Sequence, residues 1–154
     1  MTHSRKAISL VCEFEGCRLT SYQDQRGIWT IGYGHTPASE NQVCTEEQAE
    51  VWLDADLKVA DAAVNRLVSV ALNQNQFDAL VSFVFNVGSG NFQTSTLLRL
   101  LNRGESLLAA AEFPKWDHAG AAVSSGLLRR RQAEQALFVA CEVLGSEVKH
   151  ANPA

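Results

Sequence analysis

The chain has 154 residues, 46% of them hydrophobic and 19% charged, with 10 glycines and 3 prolines. That favours one globular domain over residues 1–154, long enough to bury a core without bridges, and it excludes disordered, collagen-like and low-complexity classes. Lysine and arginine number 13 against 17 aspartates and glutamates, a net charge of −4, so nucleic acid is not an expected partner and any anionic ligand must meet a local basic patch.

The polar start Met1-Thr2-His3-Ser4-Arg5-Lys6 and the short mixed stretch 7–12 match neither a signal peptide nor a membrane anchor. Cys12, Cys17, Cys44 and Cys141 are scattered. In a chain expected in a reducing cytosol they read as small buried or half-buried thiols rather than bridges.

A helix is expected over residues 4–14, where Ala7, Ile8, Val11 and Cys12 share a face and Gly16 is the stop. From 19 to 35 the period changes. Aromatic, β-branched and glycine residues flank the turn Gln25-Arg26-Gly27, which predicts a small hairpin. Everything after it reads as helical. Thr45-Glu46-Glu47-Gln48 is a capping box opening a long helix along Ala49, Trp52, Leu53, Leu57, Ala60, Val64 and Leu67. Further helices are expected over 75–87, 95–102, 106–113 and 125–144, stopped by Gly88, Gly104, Pro114 and Gly145. The fold class is α+β, mainly α: a small N-terminal hairpin lobe, a larger helical lobe, and a cleft at their join.

Glu15 ends the first helix and Asp24 stands just before the hairpin turn. Cleavage of a glycosidic bond needs a protonated carboxylic acid for the leaving oxygen and an ionised carboxylate to activate water or steady the oxocarbenium ion. Two acids in unlike surroundings can divide those roles. Two acids nine positions apart are common, however, and spacing alone leaves a purely structural role open.

The string Glu15-Gly16-Cys17-Arg18-Leu19-Thr20-Ser21-Tyr22-Gln23-Asp24, with Gly27-Ile28-Trp29-Thr30-Ile31-Gly32-Tyr33-Gly34-His35-Thr36, resembles the phage-type lysozymes, glycoside hydrolase family 24. The family pattern is a Glu, eight residues, an Asp, five residues and a Thr, and Glu15, Asp24 and Thr30 meet it without a gap. The resemblance continues through Thr45-Glu46-Glu47-Gln48-Ala49-Glu50, Phe83-Val84-Phe85-Asn86-Val87-Gly88, Trp116, Gly126-Leu127 and Arg130-Arg131-Gln132-Ala133-Glu134. It implies a lysozyme-like fold in which a long helix joins the two lobes.

The resemblance also implies a muramidase acting on bacterial peptidoglycan, with no cofactor. Glu15 would protonate the bond between N-acetylmuramate and N-acetylglucosamine, and Asp24 with Thr30 would position and activate water in an inverting geometry. A threonine hydroxyl orients water but is no strong base, so Asp24 carries the activation. Thr36, Phe85, Ser95 and Arg130 match substrate-binding positions. For Phe85 and Ser95, core packing and helix capping remain simpler alternatives. His35 matches a structural ion pair with Asp56.

Arg129, Arg130 and Arg131 leave the register at the site open, and a charge run is otherwise a solvated face. A Cys17–His35 nucleophile pair lacks its supporting residues, and His3, His35, His118 and His150 form no metal-binding string, so no metal is expected. The family setting implies an endolysin that accumulates in the host cytoplasm and reaches the periplasmic wall after a holin permeabilises the inner membrane. Monomer is the default, and no membrane insertion is expected.

Overall fold

A computed structural model describes residues 1–141. Helix α1, Arg5–Glu15, starts at Ser4, whose side chain accepts the Lys6 N–H, and buries Ala7, Ile8 and Val11. Gly16 adopts φ +69° and ends it. That is left-handed backbone, which glycine enters without strain. The chain turns there into strand β1, Arg18–Gln23, antiparallel to β2, Trp29–Gly32, with Tyr22 opposite Thr30 and Gln23 opposite Trp29.

The hairpin leans on the next helix. Ile31, Cys44 and Ala49 form a small core, with Trp52 packed on it. Gly32, at φ +66°, disfavours any side chain, because that backbone strains other residues and a Cβ there would lie a tight 3.1 Å from the Cβ of Ala49.

Helix α2, Glu46–Leu67, opens with the expected Thr45–Gln48 capping box. Its 22 residues span about 33 Å, enough to link the hairpin to the helical lobe. Helix α3, Gln74–Val87, is the buried axis of that lobe and packs against α1, α2 and α7. Its Phe83 meets Phe92, Phe113 and Trp116 edge-on, with centroids 5.3–6.2 Å apart. Short helices α4 (Ser89–Gln93), α5 (Thr96–Asn102) and α6 (Ser106–Ala110) close one side, and α7, Ser125–Val139, lies along α3.

The structure differs from the sequence expectation in several places, α4 among them, since no helix was expected over 89–93. The 106–113 helix stops at Ala110, and a 3-10 turn, Phe113–Lys115, follows. Pro114 has no N–H to give to the Ala110 carbonyl, and Gln135 Nε2 donates to that carbonyl at 3.0 Å instead. Residues after the first hairpin are not all helical: β3 (His118–Ala119) and β4 (Ala122–Val123) pair around Gly120 at φ +65°. An alanine-rich strand pair this short carries no period-2 signal. Helix α7 ends at Val139, and the remainder of the expected helix, with Gly145, lies largely outside the described residues. Finally, Cys141 is exposed, because it follows the end of α7 and leaves the packed face; Cys44 is buried and Cys12 and Cys17 are half-buried, all with free thiols.

Spacing also gave no hint of how the N-terminus is fastened. The His3 ring sits between Asp54, 2.7 Å from Nε2, and Asp61, 2.8 Å from Nδ1, while the Ser4 N–H donates to Asp78 at 2.8 Å. These bonds pin the start of α1 to α2 and α3, which holds the helix that carries Glu15.

Candidate active site

Glu15 is the last residue of α1, and its half-buried carboxyl lines a cleft of about 450 Å³ with Phe14, Asn86, Ser124, Leu127, Arg129 and Arg130. Arg130 Nη1 donates to Glu15 Oε1 at 2.5 Å. Its Nη2 donates to the Ser82 carbonyl at 3.2 Å, so the guanidinium is fixed from two sides. The arginine register left open by sequence resolves here. Arg130 meets Glu15, Arg131 turns inward, and Arg129 is exposed at the rim. The other carboxyl oxygen faces the hairpin lobe, where a Cβ on Gly34 would come within 3.9 Å of Oε2.

The turn of the hairpin assembles Asp24 and Thr30. Asp24 Oδ1 accepts the N–H groups of Arg26 at 2.8 Å and Ile28 at 2.9 Å, and Oδ2 lies 3.4 Å from the Arg26 guanidinium. Thr30 is buried, and its hydroxyl donates to the Ile28 carbonyl at 3.0 Å. One peptide residue, Ile28, therefore ties both side chains into a single corner. The Ile28 N–H, helped by the N–H and guanidinium of Arg26, holds the Asp24 carboxyl below its ordinary range.

His35 Nδ1 lies 2.8 Å from Asp56 Oδ2, and its ring stacks on Trp52 with centroids 4.9 Å apart. This joins the hairpin to α2. Thr36 is exposed on the same loop. Phe85 is not in the Glu15 cleft but lines a neighbouring hollow with Asp56, Val59, Gly88 and Ser89. Ser95 stands apart from both. It is buried, donates to the Phe92 carbonyl at 2.7 Å and accepts the Leu98 N–H at 3.0 Å, which is a helix cap, and it borders a groove with Arg99 and Arg103.

Two features behind the cleft were not singled out from sequence. Arg131 and Glu134 are fully buried on α7, with Arg131 Nε 3.1 Å from Glu134 Oε1; Ser82 Oγ donates to Glu134 Oε2 at 2.7 Å, and Arg131 bonds Asn86. Burial pushes Glu134 up and Arg131 down, against their mutual attraction. The i, i+3 spacing from Arg131 to Glu134 was the available signal. The second is Tyr33, packed against both cores. The neighbouring Cys12 thiol, together with burial, pushes its hydroxyl up to about 12.

Among the described residues no group of three or more His, Cys, Asp or Glu is arranged to hold a metal ion, and no helix is long and apolar enough to cross a membrane.

A family model described as phage lysozyme matches residues 12–134. The chain is 46% identical over 140 residues to the endolysin of Acyrthosiphon pisum secondary endosymbiont phage 1, covering 88% of this chain and 96% of that protein. It is 47% identical over 142 residues to the endolysin of Bacillus phage PZA, covering 90% of this chain but 55% of that longer protein, so the chain spans about half the length of that relative. The solved muramidase domain of SpmX from Asticaccaulis excentricus superposes with a TM-score of 0.87 at 43% identity, covering 90% of this chain and 97% of that one. With a match that runs from the end of α1 through the hairpin and most of α7, the chain belongs to the phage lysozyme family.

Proposed function

We propose that the chain, as one lysozyme domain over residues 1–154, is a phage endolysin: a muramidase that hydrolyses the bond between N-acetylmuramate and N-acetylglucosamine in bacterial peptidoglycan. The observation that carries this reading is the Glu15 carboxyl in a cleft, one oxygen held by Arg130 and the other facing a glycine of the hairpin lobe. A glycan strand would approach through the cleft, where the Glu15 side chain is partly exposed.

Glu15 donates a proton to the leaving glycosidic oxygen. Asp24, kept ionised by its N–H partners, activates a water that the Thr30 hydroxyl orients. In the inverting geometry the water attacks the anomeric carbon on the face opposite the leaving group. The C–O bond to the leaving sugar breaks, and Asp24 takes the water's proton. Arg130 keeps Glu15 aimed; Thr36, and Phe85 and Ser95 beside the hollow and groove away from Glu15, would contact more distant parts of the saccharide and its peptide. His35 and Asp56 hold the hairpin lobe on α2. The enzyme works as a monomer without a cofactor. It accumulates in the host cytoplasm and reaches the wall after a holin opens the inner membrane.

The test is digestion of purified peptidoglycan by wild type and Glu15→Gln, with reducing-end assay and mass spectrometry of the muropeptides. Free reducing N-acetylmuramate from the wild type alone is the expected result. Anhydro products, lighter by one water, would make the protein a lytic transglycosylase, and no release by either protein would leave it a murein-binding domain.

A further inference from the structure

We infer that Glu134 is a positioning residue for the reaction at Glu15: from behind the cleft it holds the Arg130 guanidinium on the acid carboxyl and the Arg131 guanidinium on Asn86. The inference rests on the muramidase reading above.

Glu134 is completely buried on α7. A carboxylate removed from water is costly unless it is paired, and a leucine or methionine would fill the same space without that cost. Both of its oxygens face cations, and Oε2 alone of the two has a hydrogen-bond donor. Oε2 accepts the Ser82 hydroxyl at 2.7 Å and lies 3.6 Å from Arg130 Nε; Oε1 lies 3.1 Å from Arg131 Nε. Glu134 thus stands between two adjacent cations that would otherwise repel each other.

Each arginine carries the constraint forward to the cleft. Arg130 has Nε in an ion pair with Glu134 at 3.6 Å and Nη2 bonded to the Ser82 carbonyl, and in that seat its Nη1 donates to Glu15 Oε1. Arg131 lies over the Phe83 ring, 5.0 Å from its centroid, and bonds the Asn86 side-chain oxygen in the cleft wall. Its Nε and Nη1 are both buried with no hydrogen-bond partner, and Glu134 Oε1, 3.1 Å from Nε, is the carboxylate that balances this cation. A supporting carboxylate behind an active-site residue is the arrangement that fixes rotamers for catalysis.

Glu134→Gln keeps the shape and can still accept from Ser82, but it removes the charge. It also strands a cation in the core, so the second variant is Arg131→Met/Glu134→Gln, which removes one charge of each sign and leaves Arg130 and Glu15 in place. Both are assayed on soluble glycan strands of alternating N-acetylglucosamine and N-acetylmuramate, with folded protein counted by circular dichroism.

The expected result is a fall in kcat per folded molecule of about tenfold or more, with KM changed less than about threefold. A merely structural residue would lower the melting temperature and leave kcat per folded molecule unchanged. Wild-type kcat in either folded variant overturns the inference, and so does a double variant that cannot fold. An inactive wild type removes the muramidase reading and the inference with it, whereas an active wild type with full-rate variants removes the inference alone.

Discussion

Arg130 and Glu15 are 115 positions apart in the chain, and the fold places Arg130 Nη1 2.5 Å from Glu15 Oε1. Arg130 is nearly buried while the Glu15 side chain is 24% exposed, so the carboxyl meets solvent on one side and a fixed cation on the other. Glu15→Gln retains an oxygen that can accept from Arg130 but has no proton to donate to a leaving group. Muramidase turnover should fall about 10²- to 10⁴-fold, with a melting temperature close to that of the wild type by calorimetry. Arg130→Lys keeps the charge but cannot reach Glu15 and the Ser82 carbonyl together. It should lose both activity and thermal stability, and a fully active, equally stable lysine variant would contradict the pairing.

The Asp24 carboxyl sits below its ordinary range in the fold because the N–H groups of Ile28 and Arg26 favour its ionised form. A folded value below the unfolded one contributes stability that is present above the unfolded value of about 3.9 and lost as pH falls through the folded value. Asp24→Asn keeps an oxygen for those N–H groups but removes the titration. The melting-temperature gap between wild type and variant should be full at neutral pH and narrow at acid pH, and a constant gap in melts taken down through the acid range would count against the hydrogen-bonded carboxylate. Cleavage by Asp24→Asn should be reduced by a factor of about 10² or more.

Tyr33 is a raised acid, pushed up to about 12 by the adjacent Cys12 thiol and by burial. Here the protonated form is the favoured one. Its contribution to stability is fully present below the unfolded value of about 10 and decays as pH rises toward the folded value. Ultraviolet titration of the native protein should show Tyr33 ionising only near that value or on alkaline unfolding. Tyr33→Phe should erase this late absorbance change, and a native titration complete by about pH 11 would rule out the raised hydroxyl.

Phe83 is fully buried among Phe92, Phe113 and Trp116 and carries the Arg131 guanidinium on its face. Phe83→Ala removes the ring from the centre of that packing, and the fixed helices around it cannot close the space. The cost should be about 3–5 kcal/mol, seen as a melting temperature lower by roughly 10 °C. A loss under about 1 kcal/mol in denaturant melts would show that the site repacks freely.

What the sequence determined by itself was local. Ser4, Thr45 and Gly16 mark helix ends because capping needs only neighbouring residues, and the structure puts α1 and α2 within a residue of those marks. The Asp24 corner is equally local, since its bonds run to residues two and four positions on. The Glu, Asp and Thr spacing was legible for the same reason: all three lie within sixteen residues of continuous chain.

The tertiary structure decided which arginine of three meets Glu15, because the answer depends on how α7 is rotated against α3, and α7 has charged residues on both its cleft face and its buried face. It decided that Phe85 and Ser95 occupy a hollow and a cap away from Glu15. It also revealed Glu134 as a buried charge: Arg131 lies three positions earlier on the same helix, but Ser82 comes from α3 and meets it only through packing. Local hydrogen bonds can be read along one strand of chain, whereas a buried charge acquires its partners only when separate helices have closed around it.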